Sequence, residues 1–305
     1  MSNSKFEYVK SFENKNDLLK NTYIVIRIDG KGFTKFTDAH QYKKPNEIKG
    51  IKVMALAGLS VMESFPEIFL GYGQSDEFSF AFKKNARLYN RRHEKILTNV
   101  VSQFTSAFVY YWPKIFSNGE ELKYPPCFDG RVVLYPSFQN LKDYFSWRYV
   151  DCHINDLYNT TFWALVQEGK MNKDQAHQKL KGTLSNDKNE ILFSQFNINY
   201  NNQPEVYKKG TLLIRVKKPA SIRPPKENKE NKEKDEETKK KNDEINKKNE
   251  EFLEKCDKAY KIDELMIKDD KFMEEKINSL KGQIYVAHLD VVKDSFWDKE
   301  LIDYE

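Results

Sequence analysis

The apolar positions of this chain change period as the sequence is followed, and those changes mark out its elements. Residues 23–28 (YIVIRI) are a β-branched run ending in Asp29-Gly30, which predicts a buried strand carrying a carboxylate at its C-terminal end. Residues 47–63 switch to helical spacing, with Ile51, Met54, Ala55 and Leu59 on one face and Gly50 and Gly58 weakening the pattern, as in a crossover helix. Residues 68–72 and 78–82 (FSFAF) are short strands joined by Gly73-Gln74-Ser75-Asp76-Glu77, a hairpin with acids at its tip. Residues 91–112 return to helical spacing through Ile96, Val100, Phe104 and Phe108, and residues 128–135 (FDGRVVLY) read as a strand. The resulting order, βαββαβ, predicts an α+β chain built on a ferredoxin-like sheet with helices on one face, the palm shared by many polymerases and nucleotide cyclases.

Beyond that unit, residues 141–184 read as helical, with loops expected around 152–155 and at Gly169, and residues 210–216 as a further strand. Pro219, Pro224 and Pro225 open a tract at 226–250 that holds 9 Lys, 9 Asp or Glu and 5 Asn among its 25 residues. With almost no apolar side chains to repay its ordering entropy, it reads as a solvated insertion or a charged helix. Past Ile284 globular spacing resumes. The expected organisation is a palm core at 1–140 and a helix-and-strand region at 141–218 that completes it and handles RNA. A charged insertion at 219–281 and a returning segment at 282–305 follow.

The tract carries no net charge, so the +5 of the 305-residue chain belongs to the rest, a mild surplus suited to a phosphate-rich partner. Cys127, Cys152 and Cys256 are odd in number and widely spaced, which argues against a disulfide framework or a structural zinc site. No apolar run approaches the roughly 20 residues of a bilayer span. The N-terminal MSNSKFEYVKSFE carries Glu7 and Glu13 where a secretory signal would be apolar, so the cytoplasm or the nucleus is the expected location.

The candidate chemistry sits where strands end. Nucleotidyl transfer needs hard cations to neutralise triphosphate charge, and Mg²⁺ takes oxygen ligands, usually with one or two carboxylates among them. If the first and third strands are neighbours, Asp29 and the Asp76-Glu77 tip project at one edge of the sheet. Gly30 and Gly32 in DGKGFT let the backbone approach a phosphate, with Lys31 and Lys35 adding positive charge. Taken singly, an Asp-Gly after a strand is a turn and an Asp-Glu at a hairpin tip is solvated surface. Their joint placement reaches metal-dependent nucleotide chemistry, a class that covers polymerases, cyclases and kinases of small substrates.

The segments RIDGKGFTKF, GYGQSDEFSF, SQFTSAFVYYW, YPPCFDGRVV, SWRYVDCHINDLYNT, KLKGTLSNDKNEILF, FNINYNN and YKKGTLL, with a late SFW, resemble in that order the eukaryotic tRNA(His) guanylyltransferases. The resemblance implies a palm working in the 3′ to 5′ direction: ATP adenylylates the 5′-monophosphate of tRNA(His), the GTP 3′-hydroxyl displaces AMP, and pyrophosphate is then removed. It implies two Mg²⁺ ions held by Asp29, the Gly30 carbonyl and Asp76, with Glu77 supporting the site. Nucleotide contacts are implied for Asp29, Gly30, Lys31, Gly32, Phe33, Thr34, Lys44, Ser75 and Asp76. Triphosphate or tRNA contacts are expected of Arg92, Lys95, Arg131 and Lys188, and tRNA handling of His153 and Asn155; family members act as homotetramers. Two positions depart from the family pattern: Thr34 stands where histidine is common, and Asp156 where asparagine is. A new carboxylate near RNA repels phosphate unless it is paired, so Asp156 either alters a local tRNA contact or faces a basic neighbour. Three rival readings are a polymerase repairing truncated 5′ ends of many tRNAs, a nucleotide cyclase suggested by GQSDEF, and a metal-free RNA-binding relative.

Overall fold

The computed structural model describes residues 4–117, 119–217, 232–260, 262–298 and 301–304, and of residues 232–242 and 245 the backbone course alone. The elements run β1 (Tyr23–Gly30), α1 (Phe33–Ala39), α2 (Ile48–Ser64), β2 (Ile68–Gln74), β3 (Glu77–Phe82), α3 (His93–Ile115), β4 (Phe128–Tyr135), α4 (Phe138–Gln167), α5 (Lys173–Leu180), α6 (Ser185–Phe196), α7 (Glu205–Lys209), β5 (Thr211–Arg215), α8 (Lys232–Ala259), α9 (Glu264–Ile267), α10 (Lys271–Leu280) and β6 (Ile284–Ala287). The six strands form one sheet in the order β4-β1-β3-β2-β5-β6, and each neighbouring pair is antiparallel. Its first four strands have the expected ferredoxin-like arrangement, and β1 and β3 are central neighbours.

Strand alternation sorts the side chains of β1 onto two cores. Ile24, Ile26 and Ile28 pack with α2 and α3, joined by Phe78, Phe80 and Phe104, while Tyr23 and Val25 face Leu141, Tyr144 and Phe145 of α4. Gly50 and Gly58, which weaken α2 as a sequence pattern, mark where α2 comes closest to its neighbours. A Cβ on Gly50 would lie 2.5 Å from the Tyr42 ring; one on Gly58 would lie 2.6 Å from the Phe78 ring and 2.8 Å from Leu213. Gly58→Ala is therefore expected to destabilise the fold by about 1–3 kcal/mol through overpacking, measured by urea unfolding, although alanine is the better helix former.

The structure corrects the loop expected at 152–155, because α4 runs without a break through Cys152, His153, Ile154 and Asn155. Tyr144, Arg148, Cys152 and Asp156 recur every fourth residue as a buried stripe, so packing decides where local composition does not. Helices also cover the second face of the sheet, which the ferredoxin-like pattern alone leaves bare. The C-terminal stretch returns to both faces. Met266, Met273 and Leu280 join the α2/α3 core, Cys256 and Tyr260 join the α4 core, and β6 adds a strand beside β5. Lys52, 5% exposed on α2, is anchored by Asp270 at 3.2 Å.

Of the charged tract, residues 226–231 lie outside the described residues, and the remainder belongs to α8. Among its described side chains, residues 243, 244 and 246–250, none is buried, and packing starts near Phe252. Deletion of residues 226–250 is expected to leave catalysis within about twofold, as surface changes away from packed features usually do. Loss of both the unfolding transition and activity would show the tract to be structural.

Candidate active site

Asp29, second from the end of β1, pairs with Glu77 of β3 on one side and Asp129 of β4 on the other. Directly opposed residues of an antiparallel pair share a face, so these acids line the side of the sheet that α4 covers. Asp76 occupies the β2–β3 turn after Ser75, whose φ is 50°. The turn and the end of β1 are tied together: the Gly30 N–H donates to the Asp76 carbonyl at 3.1 Å, and the Lys31 N–H donates to the Cys127 carbonyl at 2.8 Å. A Cβ on Gly30 would fall 2.4 Å from the Phe33 ring and 3.0 Å from the Asp76 Cβ, so this approach requires glycine. Gly32 then takes a φ of 65° as the residue capping α1.

Burial pushes the Asp76 carboxyl above the usual carboxylate range; hydrogen bonds from its own main chain and from Ser75 pull it back, and the Asp29 charge pushes it up again. Two acids that repel one another beside the Gly30 carbonyl offer only hard oxygen donors, a set that suits Mg²⁺ with positions left for water and phosphate. Among the described residues no group of three or more His, Cys, Asp or Glu gathers so as to hold a metal ion, so the set here is two carboxylates and a main-chain carbonyl.

Glu77 is held differently. The Nε of Arg148 donates to it at 2.8 Å, the Nε of Arg27 lies 3.6 Å away, and Arg148 reaches on to Asp151 through Nη2 at 2.9 Å. Burial raises the Glu77 carboxyl, and the charges of Arg148 and Arg27 work against that rise. Glu77 therefore ties the tip of the hairpin to α4 through an arginine, and in that way it supports the neighbouring Asp29 and Asp76. Sequence reasoning missed Arg148. Its signal lay in the fourfold spacing to Tyr144 and Cys152, hidden by the loop expected just beyond it.

These groups open onto a cavity of about 570 Å³ whose wall includes Asp29, Phe33, Thr34, Lys44, Ser75, Asp76, Glu77 and Asn155. Gly30, Lys31 and Gly32 form the turn beside it. Lys44 is paired with Asp38 at 3.2 Å, and Asn155 donates to Asp151 at 3.1 Å. The structure does not bring the remaining candidates to this wall. Arg92 caps α3 and forms an isolated main-chain β-bridge with Asp17, beside the residues that lead into β1, whereas Asp29 lies at the other end of that strand. Lys95 lies nearby on α3, its ammonium 5.1 Å from the Tyr89 ring centre. Arg131 stands opposite Arg27 on β4 and contacts Asp129 at 3.4 Å. Lys188 is buried and donates to the Thr183 and Leu184 carbonyls at the start of α6. His153 lies against Tyr200, with 5.5 Å between ring centres.

Asp156 is not surface-exposed. It accepts from the Asn46 amide at 2.9 Å and the Tyr200 hydroxyl at 2.8 Å, so its hydrogen bonds come from neutral donors while His153 and Lys208 act on it by charge alone. Burial raises its carboxyl; Asn46, Tyr200, His153 and Lys208 oppose the rise. A folded-state pKa above the unfolded value means the native protein holds its proton longer, so stability falls as pH rises from the ordinary aspartate value through the raised one. Asp156→Asn is expected to lose that dependence and to be the more stable form at neutral pH, as thermal melts at pH 4 and pH 7.5 would show.

A ferredoxin-like palm with paired strand-end carboxylates over a cavity places the protein among the palm enzymes that act on nucleotides. The family model described as tRNAHis guanylyltransferase matches residues 6–136, and the family's C-terminal domain model matches residues 139–258. A tRNA(His) guanylyltransferase of Neurospora crassa is 45% identical over 98% of this chain and 94% of its own length. One from Schizosaccharomyces pombe is 54% identical over 70% of this chain and 82% of its own. The crystal structure of the Saccharomyces cerevisiae tRNA(His) guanylyltransferase is 46% identical, covers 69% of this chain and 93% of its own, and superposes with a TM-score of 0.67. A bacterial guanylyltransferase-like protein in complex with ATP, 23% identical with a TM-score of 0.59 over 69% of this chain and 88% of its own, shares the fold. The chain belongs to the tRNA(His) guanylyltransferase family.

Proposed function

We propose that this enzyme adds a guanine nucleotide to the 5′ end of tRNA(His), using Mg²⁺ held by Asp29, Asp76 and the Gly30 carbonyl. The observation that carries the reading is the convergence of Asp29 and Asp76 at the end of β1, tied by the Gly30 to Asp76 hydrogen bond. Bound there, the cations would neutralise triphosphate charge and lower the pKa of an attacking hydroxyl. Asp29 and Asp76 orient that charge at one edge of the cavity. The β1–α1 turn, with Gly30 and Gly32, leaves room for phosphate oxygens, and Ser75 fixes the hairpin turn. In the first step a 5′-phosphate oxygen of the RNA attacks the α-phosphorus of ATP and pyrophosphate leaves. In the second, the GTP 3′-hydroxyl attacks the activated 5′-phosphorus, losing its proton as AMP departs. Hydrolysis between the α- and β-phosphorus of the added nucleotide then releases pyrophosphate.

Omitting GTP isolates the first step. With ATP and Mg²⁺, 5′-monophosphorylated tRNA(His) is expected to accumulate as the 5′-adenylylated species, and chelation by EDTA to abolish it; adenylylation that survives EDTA contradicts the metal assignment. Assembly as a homotetramer belongs to the same reading. Exposed apolar side chains at Phe6, Tyr8 and Phe12, and at Trp147, Val150 and Ile154 along α4, offer surface for it. Light scattering is expected to give four times the 36.1 kDa chain mass.

A further inference from the structure

One wall of the cavity is built unlike the rest. Trp163, half-buried on α4, lines it together with Lys44 from the α1–α2 loop and Lys173 from the start of α5. The Lys44 ammonium lies 5.9 Å from the indole centre and the Lys173 ammonium 5.6 Å, so one ring meets two cations. Trp163 packs one side against Phe162 and the apolar cluster between α4 and α5, and its remaining surface looks into the cavity, where it carries charges on flexible stems that a ligand can displace. Lys44 shares its charge with Asp38, whereas among the described residues no carboxylate pairs with Lys173, which is exposed at the mouth of the cavity. One turn further along α5, His177 lies tilted against Phe162 with 4.4 Å between ring centres and meets the Tyr158 hydroxyl at 2.7 Å, which fixes α5 against α4.

An aromatic face flanked by ammonium groups is what a nucleotide with a phosphate on its sugar needs: the base stacks on the ring and the phosphate meets the cations. The β1–α1 turn and the hairpin tip already supply the triphosphate side of the site. Trp163 and Lys173 come from outside the palm, and Lys173 is exposed to solvent. We propose that Trp163 is the stacking platform for the 5′-terminal base of the RNA substrate, with Lys173 and Lys44 holding its 5′-phosphate in reach of Asp29 and Asp76.

This inference rests on the reading that a 5′-phosphorylated RNA is the substrate, and a binding readout separates the two. The chain has four tryptophans, so the difference in emission between wild type and Trp163→Phe isolates the Trp163 signal. A 5′-monophosphorylated tRNA(His) transcript is expected to quench that signal in the full-length protein, and GTP or ATP alone is expected not to. Trp163→Ala is expected to raise the KM for tRNA about tenfold while kcat and the KM for GTP stay within about twofold, and Trp163→Phe to recover most of the loss. Lys173→Ala is expected to erase the preference for 5′-phosphate over 5′-hydroxyl RNA in the same titration. Quenching by GTP alone, or an unchanged KM for tRNA in Trp163→Ala, overturns the proposal. Quenching by the transcript without any nucleotide addition would uphold the platform and contradict the reading of the reaction.

Discussion

Asp76→Ala is expected to lower the rate of 5′-nucleotide addition about a thousandfold or more while changing tRNA affinity by less than about threefold, and Asp29→Ala to do the same. Both acids sit where charge must be neutralised in the transition state, whereas RNA affinity comes chiefly from neutralising backbone phosphates over a wider surface. The side chains do not hold the fold together. Asp29 lies second from the end of β1, and the Gly30 to Asp76 tie is main chain to main chain, so alanine leaves it in place. Removing the charge of Asp76 also relieves burial of a carboxyl beside Asp29, so the variant is expected to melt no lower than wild type. Single-turnover addition and a filter-binding titration on the same preparation separate the two effects. Near wild-type addition by either variant in Mg²⁺ would contradict the two-metal assignment.

The largest expected effect on stability falls on Arg148→Ala. Arg148 is 7% exposed at its side chain and bridges Glu77 and Asp151, and Glu77 is itself 11% exposed. Losing the arginine leaves Glu77 with only the 3.6 Å contact to Arg27, and an incompletely compensated buried charge costs about 3 kcal/mol. For a chain of this size that corresponds to a melting temperature lower by roughly 5 °C. Glu77→Gln in the same background is expected to recover part of the loss, because the stranded charge is then gone. A melting temperature unchanged in Arg148→Ala would mean that the pair contributes nothing, and with it would fall the argument that Glu77 anchors the hairpin tip to α4.

The palm was legible because its strands are short β-branched or aromatic runs and its helices carry long apolar stripes. The element order allowed β1 to lie beside its partner at the centre of the sheet, and the pairing of β1 with β3 bears that out. The carboxylates were legible for the same reason, since a strand end and a two-residue turn fix where Asp29 and Asp76 must be. The second layer was harder to read. Its stripe on α4 includes Arg148 and Asp156, polar residues that hide the helical period until their partners are known. Those partners, Glu77 and Tyr200, lie far away in sequence. Gly50 and Gly58 weakened a helix pattern that was nonetheless read as a helix, since each lowers helix propensity to admit a neighbouring side chain. The Trp163 platform gave no sequence signal, because its two lysines come from separate elements and meet only when α5 folds back on α4.

Incubation of the enzyme with 5′-monophosphorylated tRNA(His), ATP, GTP and Mg²⁺, beside a 5′-truncated tRNA of another specificity, tests the central claim most directly. Growth of tRNA(His) by one guanine nucleotide, with the truncated tRNA left unextended, is the predicted result. Preferential extension of the truncated tRNA, or no growth of either 5′ end, would contradict it.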